Sequence, residues 1–246
     1  MAYGRQPRYD STMLQTTSHR DAPTLGIGFY TVPEAARLLK IRPLNIRRWL
    51  GGYSYTQGET TVDMPPLWTP QLPSYDHHIE LGFRDLIELR VIKSFLDAGL
   101  SLITIRNCLE YARECAGDDH PFSTRRFRTD GRTIFLESLR RTGEDELLDL
   151  KSHQYVIKKV IDRTFKDLDI SHDIVTRWRP FDGKQSIVVD PTRAFGQPIT
   201  NSYGVPTVVL TDAMEAEGSV ERVCRLYDVS PSAVRDAVKF EQSLAA

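Results

Sequence analysis

Two short amphipathic stretches, separated by a brief break and closed by a double glycine, limit what this chain can fold into more than any other feature. Thr31-Val32-Pro33-Glu34 has the form of a capping box, in which the Thr31 hydroxyl accepts from the Glu34 amide and the Glu34 carboxylate reaches back. Ala35, Leu38 and Leu39 then fall on one side of a helix, with Arg37 towards the other. Lys40-Ile41 makes the break, and Arg42-Pro43 opens a second helix with proline at its first position. Ile46, Trp49 and Leu50 face back onto the first helix, which leaves Asn45, Arg47 and Arg48 largely outside, and Gly51-Gly52 ends the unit.

The next residues change period. Tyr53-Ser54-Tyr55-Thr56, the turn-like Gln57-Gly58, Thr60-Thr61-Val62 and then Pro65-Pro66-Leu67-Trp68 read as a hairpin followed by an extended, proline-bounded strap, the outline of a wing. From Gly82 the helical pattern returns, with Phe83, Leu86, Ile87, Val91, Ile92, Phe95 and Leu96 at spacings of three and four and Gly99 as a stop. Ser101 caps another helix through about Cys115. The punctuation at 116–121 predicts a domain boundary. Beyond it, 122–127, the dipeptide Asp130-Gly131 and 133–136 spell a hairpin. A helical region in two pieces is expected over 144–168, and short strands over 174–181 and 186–189. Helices follow over 206–216, 219–227 and 230–242, the last two opposing Val220, Val223, Cys224 and Tyr227 to Val234, Ala237, Val238 and Phe240 in a second helix-turn-helix shape. Residues 1–28, rich in polar residues and without a period, are expected to form a flexible tail. The predicted class is mainly α with small β-hairpins, divided as 1–28, 29–116, 120–185 and 186–246.

Charge supports a local reading head rather than a nucleic-acid coat. The 246 residues carry 32 Lys and Arg against 33 Asp and Glu, a formal charge of −1, which argues against a protein that is basic all over. Within 31–53, however, Arg37, Lys40, Arg42, Arg47 and Arg48 stand against Glu34 alone, a local +4. Three cysteines without a CxxC pair fit a reducing cytosol, and no apolar run approaches a membrane span, so a cytoplasmic protein is expected. Catalysis finds no support. Asp190 and Asp212 are isolated acids, His77-His78 has no glutamate spaced for zinc, and glycine-rich phosphate loops are absent, so neither enzyme activity, cofactor nor metal is expected.

Tyr30-Thr31-Val32-x-Glu34-Ala35-Ala36-x-Leu38, the segment Ile46-Arg47-Arg48-Trp49, and Gly82-Phe83-Arg84-Asp85-Leu86 through Ala98-Gly99-x-Ser101-Leu102 and Ile105-Arg106 resemble the MerR-type winged helix-turn-helix domain. The resemblance covers about 29–115 and implies operator binding, with Arg42, Asn45, Arg47 and Arg48 on base edges, Tyr53, Tyr55 and Arg84 on the backbone, and Arg37 beside them. The chain departs from metal- and drug-sensing members at Ala116-Gly117-Asp118-Asp119, where their long dimerisation helix would continue.

Ile187-Val188-Val189-Asp190-Pro191, Phe195-Gly196-Gln197-Pro198-Ile199, Gly204-Val205-Pro206-Thr207 and Gly218-Ser219-Val220-Glu221 through Val229-Ser230 are similar to the domain-of-unknown-function 433 family, with Gly204-Val205-Pro206-Thr207 replacing its usual Gly-Thr-Arg-Ile. A MerR-like head joined to such a tail resembles the longer VapB-type antitoxins. That resemblance implies a homodimer or higher hetero-oligomer that represses its own operon and blocks a PIN-like ribonuclease toxin. Arg177, Arg179, Lys184 and Arg193 are the basic residues nearest to hand for the toxin's carboxylates. The competing reading is a stand-alone regulator whose C-terminal domain only dimerises.

Overall fold

The computed structural model describes residues 26–74, 78–143 and 150–245 and shows a mainly helical chain with small antiparallel sheets. Strand β1 (Tyr30–Thr31) leads into α1 (Val32–Leu39) through the capping box: the Glu34 amide donates to Thr31 Oγ1 at 3.4 Å and the Thr31 amide donates to the Glu34 carboxylate at 2.8 Å. Helix α2 (Pro43–Gly51) buries Ile46, Trp49 and Leu50 beneath α1. At Gly52, φ is +74° and a Cβ would stand 2.8 Å from the Met64 carbonyl, so glycine lets the chain turn straight from α2 into the hairpin of β2 (Tyr53–Gln57) and β3 (Thr60–Met64). The strap that follows is held down from α4 (Leu102–Ala116): Arg106 donates to the carbonyls of Pro65 and Pro66, and Arg113 to that of Leu67.

Strand β4 (Glu80–Leu81) pairs with β1 and so sets the start of α3 (Phe83–Asp97) beside the start of α1. Helix α3 is buried nearly all round, although it carries charged residues. Leu86, Ile87, Leu89, Val91, Ile92 and Phe95 are all buried, because neighbours cover it on several sides. After a tight turn at Pro121–Ser123 the chain forms α5 (Arg125–Thr142) and α6 (Leu150–Phe165); α4 packs on α5, α5 on α6, and α6 back on α3.

Helix α5 overturns the hairpin expected at 122–136. Thr124 caps it by accepting from the Phe127 amide, and Phe127, Gly131, Ile134, Phe135, Ser138 and Leu139 form its buried stripe. Asp130-Gly131 is therefore not a turn. Gly131 is the point of closest approach to α6, where a Cβ would meet Ile161 Cδ1 at 3.0 Å and the Phe127 ring at 3.3 Å. Gly131→Leu is expected to destabilise the fold by roughly 1–3 kcal/mol or more through overpacking, read from chemical denaturation, whereas Asp130→Ala next to it on the exposed side should change little.

The chain continues into an antiparallel sheet of β5 (Leu168–Ser171), β6 (Ile174–Trp178), β7 (Ile187–Val189) and β8 (Pro198–Thr200), in that order. Helices α7 (Thr207–Glu217), α8 (Val220–Tyr227) and α9 (Pro231–Ala245) close a small core of Leu210, Val223, Val229, Val234 and Ala237. Phe240 leaves that core. It belongs instead to the large one, with its ring 6.0 Å from that of Phe181. The large core takes in residues from Tyr30 to Val189 together with Phe240, so residues on both sides of the punctuation at 116–121 contribute to it.

The turn at Pro121–Ser123 is fastened to α3 by hydrogen bonds to a buried carboxyl group. Asp85 and Glu88 are both fully buried; Glu88 accepts from the amides of Phe122 (3.2 Å) and Ser123 (2.8 Å). Most of the expected tail lies outside the described residues, but its last three residues are docked, with the Phe83 amide donating to the Ile27 carbonyl at 2.8 Å. His77 and the start of the helical region expected at 144–168 also lie outside the described residues. No helix among those described is long and apolar enough to cross a membrane.

Candidate nucleic-acid interface

The solvent face of α2 is built by exclusion. With Ile46, Trp49 and Leu50 turned inward, Arg42, Arg47 and Arg48 are left exposed and Asn45 half-buried. Arg42 is the residue before the helix and Arg48 lies in its last turn, so the cations span its full length. Arg47 borders a cleft of about 300 Å³ shared with Thr31, His78 and Glu80. The hairpin stands next to this face. The Arg48 guanidinium lies 5.4 Å from the centre of the Tyr53 ring, and the Tyr53 and Tyr55 rings are 6.2 Å apart. These contacts bring Arg48, Tyr53 and Tyr55 into one surface.

Leu44, 55% exposed on the same helix, was not singled out from the sequence. The signal was present: Leu44 falls off the inward face set by Ile46, Trp49 and Leu50. An exposed leucine among arginines is suited to a thymine methyl group in a major groove.

Two expected contacts have other partners. Arg84 donates from Nε to Ser123 Oγ at 2.8 Å and from Nη2 to Asp118 Oδ1 at 2.8 Å and the His120 carbonyl at 2.7 Å, and its side chain is only 18% exposed. Burial would raise the Asp118 carboxyl, but the His120 amide and Arg84 outweigh it and hold it below the usual carboxylate range. Arg84 therefore clamps the 118–123 turn onto α3 instead of facing outward. Arg37 pairs with Glu241 of α9 at 2.6 Å, and Glu241 also accepts from Thr207 Oγ1. This ion pair joins α1 to the C-terminal helices across 204 residues of sequence.

The basic residues expected to meet a toxin are not brought together into one free cluster. Arg177 donates to Asp190 Oδ2 at 2.8 Å, Arg179 pairs with Asp169, Arg193 donates to the Asn201 carbonyl, and Lys184 lies 4.2 Å above the Phe181 ring. Burial would raise the Asp190 carboxyl, but Thr192 and Arg177 outweigh it and lower it. Beside them the segment Ala194–Gly196 runs through three consecutive left-handed residues and leaves Phe195 71% exposed. It is tied to the head: the Tyr30 hydroxyl donates to the Gly196 carbonyl at 2.7 Å and the Phe29 amide to the Phe195 carbonyl at 2.9 Å. Burial raises the Tyr30 hydroxyl well above the ordinary tyrosine value, which keeps it a donor. Among the described residues no group of His, Cys, Asp and Glu is arranged to hold a metal ion.

No protein-family model matches the chain. The chain is similar to the Mycobacterium tuberculosis protein named "Putative antitoxin VapB45", at 26% identity over 223 residues, covering 86% of this chain and 93% of that protein. Its fold is similar to the crystal structure of Rv2018 from Mycobacterium tuberculosis, with a TM-score of 0.65 at 24% sequence identity, covering 85% of this chain and 96% of that one.

Proposed function

We propose that this protein is the antitoxin of a toxin–antitoxin pair, which binds operator DNA through a winged helix-turn-helix head and holds a PIN-like ribonuclease toxin through its C-terminal half. The observation that carries the reading is the similarity to a protein named as an antitoxin along nearly the whole of both chains. That name also agrees with a protein that is not an enzyme. Co-expression of the tagged chain with a PIN-like nuclease, if one is encoded next to its gene, should recover the two as a complex, and the absence of such a gene would favour a stand-alone regulator. Recovery of the chain without the nuclease would favour a stand-alone regulator.

The DNA contact rests on the exposed Arg42, Leu44, Arg47 and Arg48 of α2, with Asn45 at its edge and Tyr53 and Tyr55 on the hairpin. Arginine can grip guanine bidentately and asparagine can grip adenine. Arg48→Ala is expected to weaken operator binding by about 1–3 kcal/mol if the side chain reads a base, and to weaken all sequences alike if it meets phosphate. Titration of a labelled promoter fragment at several salt concentrations separates the two, and unchanged affinity removes Arg48 from the site.

For the toxin, Arg177 and Lys184 are the better placed of the four expected residues. Arg177 stays 48% exposed while bonded to Asp190, and Lys184 has no ion pair among the described residues. Phe195, held outward by a strained backbone, supplies an apolar anchor close by.

A further inference from the structure

Helices α5 and α6 carry a strongly basic surface. Helix α5 presents Arg126, Arg128 and Arg132 to solvent, and α6 presents Lys158, Lys159 and Arg163, with Lys166 exposed just past its end. None of these seven cations is in an ion pair among the described residues; their helical neighbour Arg125 is, with Asp173. The exposed acids along the same stretches are Asp130 and Asp162. The two helices are locked side by side at Gly131 and Ile161, and Arg128 and Arg132 of α5 line one depression with Lys158 of α6, which joins the α6 cations to them in one face; Arg126 lies outside it.

The shape is shallow and continuous. A depression of about 510 Å³ along α6 and another of about 260 Å³ between α5 and α6 share Lys158 and Asp162. A third, of about 550 Å³, runs from Tyr155, Lys159 and Arg163 to Leu38 and Leu39 at the end of α1. The basic face thus begins beside the helix-turn-helix. Tyr155 to Phe165, the end of α6, spans about 15 Å at 1.5 Å per residue, long enough to follow several phosphates of a duplex.

We propose that the α5–α6 face is a second, sequence-independent contact for the phosphate backbone of duplex DNA, adding to the contact made by α2; this rests on the operator-binding reading above. Composition favours DNA over an acidic protein. Protein interfaces are depleted of lysine and centre on buried aromatic or aliphatic anchors, whereas this face offers lysines, arginines and the hydroxyls of Thr129 and Thr133, with Tyr155 its one large exposed apolar side chain among the described residues. Lysines and arginines interleaved with hydroxyls are what phosphate oxygens use.

The test uses the full chain with Arg132→Gln, Lys158→Gln and Arg163→Gln together, and Lys158→Gln alone as a milder variant. Binding is titrated against salt on the chain's own promoter fragment and on a random duplex of equal length. Each lost phosphate contact should flatten the slope of log affinity against log salt by about 0.9, up to about 2.7 for three, with binding at 0.1 M salt weakened about 10-fold or more on both duplexes. The ratio of promoter to random affinity should stay at the wild-type value, which also shows that the head is folded. Retention of the wild-type slope by the triple variant overturns the proposal. So does a variant that keeps the slope but no longer binds polyglutamate that the wild type binds, because the face then serves an acidic protein. If the wild type shows neither a salt slope nor a preference for the promoter, the operator-binding reading fails first and takes this one with it; Arg48→Ala, run alongside, should reduce the preference while leaving most of the slope.

Discussion

Asp85→Ala should cost the fold roughly 3–5 kcal/mol, because a fully buried carboxylate is removed from the donors it satisfies. Its Oδ1 accepts from Trp68 Nε1 at 2.7 Å and lies 2.8 Å from His120 Nε2, while Oδ2 accepts from the amides of Gln71 at 2.9 Å and Gly82 at 2.8 Å. These groups come from the strap after the hairpin, the start of α3 and the turn after α4. One side chain therefore joins three segments by hydrogen bonds. In a chain of this size the loss corresponds to a fall in Tm on the order of 10 °C, and a variant melting within about 2 °C of the wild type would show that the network contributes little. Asp85→Asn, which keeps the volume and one acceptor oxygen, should fall between the two.

The second large effect is a dependence of stability on pH that runs against the usual direction for a carboxylate. Burial pushes the Glu88 carboxyl up from 4.5 to about 7; His120, the Ser123 amide, Arg84 and the Phe122 amide each pull it down, but by less. Between pH 4.5 and about 7 the folded chain thus holds a proton that the unfolded chain has released. The stabilisation from this group is full below 4.5 and is lost as pH rises to about 7. A shift of that size corresponds to at most roughly 3 kcal/mol. Glu88→Gln carries no such proton, so the difference in denaturation free energy between wild type and variant should drift in the variant's favour from pH 5 to pH 7.5. A difference that stays constant over that interval would mean that Glu88 is ionised in the folded state throughout.

What could be read from the sequence was what neighbours in sequence decide. Thr31 and Glu34 make their box within one helical turn, Gly52 ends α2 where its φ is positive, and the inward set Ile46, Trp49 and Leu50 leaves Arg47 and Arg48 outside without help from distant residues. Helix α5 was obscured because Asp130-Gly131 is a strong hairpin signal in isolation. The reason for that glycine, the approach of Ile161, lies 30 residues further on and belongs to tertiary packing. The basic face on α5 and α6 was hidden by the same misreading. Arg37 and Arg84 looked like free surface cations because their partners, Glu241 and the 118–123 turn, are far along the chain. Strands β5 and β8 are three or four residues each and owe their existence to pairing with β6 and β7, so no local period announces them.

The central claim, that this chain restrains a ribonuclease partner, is tested most directly by mixing the purified 246-residue protein with a candidate PIN-like nuclease, sought first beside its gene, and following cleavage of an RNA substrate. An antitoxin should stop cleavage at stoichiometric amounts, with the block weakened by Arg177→Glu and Phe195→Ala. Cleavage that continues at an unchanged rate in saturating protein would contradict the claim.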